Sequence, residues 1–206
     1  NLCLEGKATP IAGVTTDYDG QTRNATTPDI GADEFAFTPP SFVVNAPAAV
    51  CVGGSVNLTA AAVTTATAGS TTVGYTYFTD AACTNALTTP AAVTTSGTYY
   101  IKATFTSASG GCTYDQILPV TVTINALPTV SISVTETSGT TVNDGTICSG
   151  DAATLTASGA ATYVWSTTAT TAAITESPAT TTTYTVTGTD ANGCQNTAST
   201  TITVNA

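Results

Sequence analysis

The sequence predicts an all-β protein: two antiparallel β-sandwiches in tandem, preceded by a short segment that belongs to neither. Three observations lead there. Asn45, Asn125 and Asn205 lie 80 residues apart, each inside a Val-Asn-Ala or Ile-Asn-Ala triplet, and the first two triplets run on into Pro47 and Pro128. Apolar and polar residues alternate along one run after another, and no long helical period competes with them. Gly, Pro, Ser and Asp interrupt these runs often enough to give six or seven strands per repeat, the number a two-sheet sandwich uses.

Residues 1–40 lack the repeat's pattern. They hold six of the thirteen acids and two of the three basic residues, Lys7 and Arg23. A stretch this short cannot bury a core alone. It is expected to be the remnant of a preceding domain, or to lean on the first sandwich. The first sandwich is expected over 41–126 and the second over 127–206. Cys51-Val-Gly-Gly-Ser-Val-Asn-Leu-Thr-Ala60 is matched by Cys148-Ser-Gly-Asp-Ala-Ala-Thr-Leu-Thr-Ala157. In the first copy Val56, Leu58 and Ala60 alternate with Asn57 and Thr59 as an early strand; Ala153, Leu155 and Ala157 do the same in the second. Tyr75-Thr-Tyr77 is then matched by Tyr163-Val-Trp165, Tyr99-Tyr-Ile101 by Tyr184-Thr-Val186, and Gly111-Cys112 by Gly193-Cys194. Tyr99, Ile101, Ala103 and Phe105 share one face of a late strand, with Tyr100, Lys102, Thr104 and Thr106 on the other. In the closing strand Leu118, Val120, Val122 and Ile124 alternate with Pro119, Thr121 and Thr123; Thr200 to Val204 closes the second copy.

The chain carries 51 Thr and 33 Ala, while charged residues make up only 8%. Threonine is β-branched and polar, so it suits the wet face of a strand without adding charge. The formal net charge of -10 excludes the basic footprint that nucleic acid requires and disfavours an anionic membrane surface. No run of 18 apolar residues exists, so no membrane-spanning helix is expected. The chain starts at Asn1 and contains no Met, as expected of a mature or excised fragment.

Six cysteines occur, at 3, 51, 83, 112, 148 and 194, with no CxxC pair and no His. Zinc and iron–sulfur sites therefore fit poorly, and disulfides in an oxidising extracellular setting fit better than buried cytosolic thiols. Cys51 with Cys112, and Cys148 with Cys194, are the natural pairs because they occupy matching positions. Fifteen pairings are open to six cysteines, and the sequence selects none of them. Cys83 has no counterpart in the second repeat. Cys3 is a candidate partner for it, which would staple the leading segment to the first sandwich; a free thiol or a link to another chain are the alternatives.

Asp17, Asp19 and Gly20 form a D-x-D-G step whose carboxylates could hold calcium, with Asp29, Asp33 and Glu34 as further ligands. The full twelve-residue loop with its bidentate Glu is missing, so an Asp-capped turn is the preferred reading. Asp190 and Asn192 read as a plain turn for the same reason. No cofactor is expected otherwise. Without His, no Ser–His–Asp or Cys–His nucleophile can form. Asp80, Asp115, Glu136, Asp144, Asp151 and Glu176 fall at expected turns or edges rather than across a cleft. No enzyme is expected. Lys102, on an outward face, is a poor donor for an isopeptide crosslink. Tyr75, Tyr77, Tyr163 and Trp165 could stack on a sugar if exposed; Tyr77 and Trp165 are expected in the core. Asn24 and Asn57 match the N-glycan acceptor pattern.

The run "DYDGQTR…PDIGADEF" resembles the closing segment of right-handed parallel β-helix domains in secreted Bacteroidota proteins. The repeats, with C-x-G-x-x-x-x-L-T-A, Y-x-W/Y, T-Y-x-V and G-C, resemble the immunoglobulin-like or PKD-like modules of the same group; residues 77–104 are especially close to adhesin-type modules. The resemblance implies two tandem immunoglobulin-like antiparallel β-sandwiches in a large cell-surface protein exported by the type IX system. It implies spacer or stalk modules whose first partners are neighbouring modules of the same chain. Binding of a glycan or surface protein through end loops such as that around Cys83 is the rival expectation, and edge-to-edge self-association into a filament a third.

Overall fold

The computed structural model describes residues 15, 16, 22, 25, 26, 40–67, 71–107, 113–139 and 141–205. They fold as an all-β chain of several small sheets, antiparallel except for two short parallel pairings. Two compact units result. One takes the described residues up to Ala49 together with Ser55–Thr123. The other takes Val50–Gly54 with the described residues from Ile124 onward.

In the first unit, β1 (Ser41–Val44) and β3 (Thr64–Thr67) form an antiparallel pair. A three-stranded sheet runs β4 (Thr71–Phe78), β5 (Gly97–Ser107), β6 (Thr113–Val122), with β5 in the middle. The alternation expected of β5 holds. Tyr99, Ile101, Ala103 and Phe105 are buried, and Tyr100, Lys102, Thr104 and Thr106 are half-buried on the other face. Val120 and Val122 extend the buried face, together with Phe42 from β1. Phe42 donates its backbone N–H to Gln116 Oε1 at 3.2 Å and stacks at a tilt on Tyr75, ring centres 5.8 Å apart.

The early strand expected at Val56–Ala60 does not form. Val56 makes one isolated bridge to Val93, and the chain then turns through residues 58–63. The cause is local: Asn57 Oδ1 accepts the backbone N–H of Thr59 at 2.8 Å and its hydroxyl at 2.7 Å. An Asx turn of this kind competes directly with a strand ladder. Val56 and Leu58 are still buried, so the apolar pattern survives without the strand.

The second unit contains all of the remaining strands: β2 (Val50–Cys51), β7 (Ile124–Asn125), β8 (Ser131–Thr135), β9 (Thr146–Cys148), β10 (Ala153–Ser158), β11 (Thr162–Trp165), β12 (Ala173–Glu176), β13 (Thr182–Thr189) and β14 (Gln195–Asn205). One sheet is ordered β12-β10-β8, the other β11-β13-β14-β9, and β2 pairs with β7. The buried core takes side chains from both larger sheets: Ala153, Leu155, Ala157 and Ile174 from the first, Ile147, Trp165, Tyr184, Val186 and Ile202 from the second. Here the expected early strand does form, as β10. Thr154 replaces the turn-making Asn57 at the aligned place between the two inward residues.

The outward faces explain how a chain with so few charges stays wet. Residues directly opposite across the ladders bond through their hydroxyls: Thr154 with Thr175 at 3.0 Å, Thr183 with Thr201 at 2.9 Å, Thr185 with Ser199 at 2.8 Å, and Ser131 with Ser158 at 2.9 Å. Such cross-strand pairs stabilise a sheet by a few tenths of a kcal/mol, up to about 1 each.

Candidate functional site

The feature that singles out this chain is a short strap, Val50–Gly54, which clusters with the second unit although Ser55–Thr123 of the first unit come after it in sequence. Val50 and Cys51 lie parallel to Ile124 and Asn125. Val52 then donates its N–H to the Asn125 carbonyl at 2.9 Å, and Gly54 donates to the Cys51 carbonyl at 2.9 Å, closing a turn. Gly53, at φ +95°, holds the left-handed position that this turn requires. The Cys51 sulfur is bonded to Cys194, with Cα atoms 5.6 Å apart.

Cys194 is presented by an Asp turn. Asp190 Oδ1 accepts the N–H groups of Asn192 and Cys194, both at 2.8 Å, and the Asp190 N–H donates to the Cys194 carbonyl at 2.9 Å. The Asp190 carboxylate is thus occupied by its own backbone, and the stretch is the plain turn that the sequence suggests. Cys194 itself is fully buried.

The two disulfides expected within repeats are therefore corrected. Cys51 bonds Cys194, so neither Cys51–Cys112 nor Cys148–Cys194 forms, and Cys148 is a free, exposed thiol. The reason is geometric. Cys148 lies opposite Asn205 at the far end of β14, whereas Cys194 immediately precedes Gln195 at its start. The ten residues between them span roughly 34 Å of strand, while a disulfide requires Cα atoms within about 7 Å. Matching positions in two repeats do not make a pair within one repeat. Cys83 is also a free thiol, so the Cys3–Cys83 bond is not formed; Cys3 and Cys112 lie outside the described residues.

Cys148 repeats the surroundings of Cys51 closely. Ser149 donates to the Asn205 carbonyl at 2.9 Å, Asp151 donates to the Cys148 carbonyl at 3.0 Å, and Gly150 sits at φ +96°. A polar network, unforeseen from sequence, fixes this segment. Buried Glu136 accepts the N–H groups of Ser138 at 2.7 Å and Asp144 at 3.0 Å. Ser138 Oγ accepts the Cys148 N–H at 2.7 Å and donates to Asp151 Oδ2 at 2.5 Å. Nothing in the local pattern distinguishes Glu136 from an acid at an exposed turn.

In the first unit the Cys83 loop is closed by Asp80, which accepts from the Thr84 N–H at 3.1 Å and the Asn85 N–H at 2.6 Å. Those backbone donors hold its carboxyl below the usual range. Cys83 has left-handed backbone, φ 55°, and desolvation pushes its thiol pKa up, with the nearby Asp80 adding to the rise. Lys102 faces outward as expected and pairs with Asp115 at 2.6 Å; Thr104 Oγ1 donates to the same carboxylate at 2.7 Å. Trp165 is in the core, its indole N–H on the Thr171 carbonyl at 2.9 Å. Tyr77, expected with it, is only half-buried, as are Tyr75 and Tyr163. Tyr163 is held by its hydroxyl on Ala160. None of the four is an exposed aromatic platform.

The calcium candidates Asp17 and Asp19, with Asp29, Asp33 and Glu34, and the acceptor Asn24, lie outside the described residues. Among the described residues no group of three or more His, Cys, Asp or Glu could hold a metal ion, and no helix is long and apolar enough to cross a membrane. A scan of protein-family models and a search of curated proteins both return no match to the chain.

Proposed function

We propose that these units are structural spacer modules of an extracellular bacterial surface protein. The observation that carries this reading is the span of the Cys51–Cys194 bridge, 143 residues, which closes off most of both units. Tension applied at the chain ends passes across the sulfur–sulfur bond and cannot pull out what lies between. A disulfide of this kind fits an oxidising compartment, and surfaces bonded through paired hydroxyls rather than Lys offer few cleavage points to trypsin-like proteases. Two sheets in the second unit, ordered β12-β10-β8 and β11-β13-β14-β9, share one buried core, which supports reading this unit as an immunoglobulin-like sandwich.

Single-molecule stretching of the chain held at its two ends tests the reading. The oxidised protein is expected to keep the bridged 143 residues inextensible, and reduction to release them as roughly 500 Å of contour, at about 3.5 Å per residue. Full extension without reductant would overturn it. A glycan array should be blank; a reproducible hit would replace the spacer by a recognition module.

A further inference from the structure

We infer that Cys148 is a covalent attachment site for the next module in a series, taking a cysteine presented on an Asp-x-x-Gly-Cys turn like that of Asp190–Cys194. The inference rests on the spacer reading and carries it one link further. Its ground is an equivalence inside the chain. Cys51 and Cys148 sit on the same parallel strand end, opposite Asn125 and Asn205, which are 80 residues apart. Both are followed by the same glycine turn, at φ +95° and +96°, and by the same two backbone bonds. One of these two equivalent thiols is already bonded, and its partner comes from the repeat that succeeds it in sequence. The other is free and exposed.

Beside Cys51 in its strap, the second unit holds Cys148 and Cys194, and these two are placed as a series link requires. Cys194, bonded to the strap, is at one end of β14, and Cys148 is beside the other end, roughly 34 Å away. A sulfur at each end of β14 allows two bonds: Cys194 takes the strap cysteine that precedes it in sequence, and Cys148 is left for a cysteine that follows it. The triplet Val204-Asn205-Ala206 repeats Ile124-Asn125-Ala126, so a sequence repeat joined through the same linker meets Cys148 as the repeat over 127–206 meets Cys51. Bond formation joins the two thiols. Two protons leave, and two electrons pass to a disulfide oxidant, which departs as two thiols.

The test appends a second copy of residues 127–205 directly after Ala206 of the full chain. The appended copy carries Cys148→Ser, so that one Cys148 remains. After equilibration with oxidised glutathione, peptide mapping without reductant should find Cys148 joined to the Cys194 of the appended copy, and alkylation of Cys148 should fall at least tenfold relative to the 206-residue chain. A folded appended copy with Cys148 still fully alkylated overturns the inference. An appended copy that fails to fold overturns it too, because the repeated linker is held to be sufficient. Stretching and glycan binding are measured on the unextended chain, where Cys148 plays no part, so the two readings fail separately.

Discussion

At the scale of single residues, close approach decides more than chemistry does. A Cβ on Gly188 would lie 2.6 Å from Val130 Cγ2 and 2.7 Å from Ala160 Cβ, whereas one on Gly74 would meet nothing. Gly188→Ala is therefore expected to destabilise the second unit by about 1–3 kcal/mol. Gly74→Ala should instead be neutral or stabilise slightly, by up to about 1 kcal/mol; urea melts of the two variants check the contrast. Asp80 and Asp115 make the pH dependence readable. Both carboxyls are held below their ordinary value of 3.8, Asp80 by backbone donors and Asp115 by bonds from Lys102 and Thr104. A carboxylate with a lowered folded pKa contributes stability that is complete above the unfolded value and lost as pH falls through the folded one. The melting temperature of the first unit should thus hold down to about pH 4–5 and drop below it. The double variant Asp80→Asn, Asp115→Asn should flatten that drop.

At the scale of elements, the same alternating pattern gave a strand in one repeat and a turn in the other. The inward residues Val56 and Leu58 match Ala153 and Leu155, yet only β10 joins a ladder, because Asn57 turns its own backbone where Thr154 bonds across to Thr175. Periodicity reported which side chains are buried; it did not report which backbone groups are paired. Glu136 makes the complementary point. It reads as an ordinary acid between strands, but it is buried and accepts two backbone N–H groups ahead of β9. Glu136→Ala strands those donors and is expected to cost about 1–3 kcal/mol for each one left buried without a partner, against a much smaller loss for Glu176→Ala on the partly exposed β12 edge. Chemical denaturation of both variants measures the difference.

At the scale of the whole chain, one bond links residues that the sequence places in different repeats. Cys51→Ser should lower the stability of the second unit by about 2–5 kcal/mol, while Cys83→Ser and Cys148→Ser should leave it within about 0.5 kcal/mol; calorimetry with and without reductant checks all three. The all-β class, the 80-residue period and the buried faces of β5, β6, β10 and β13 were written in the sequence, because strand alternation and turn residues are local and act over a few neighbours. The cysteine pairing and the membership of Val50–Gly54 were not. They depend on which strand end faces which, a matter of direction along an eleven-residue strand that no local pattern encodes, so only the tertiary structure could decide them.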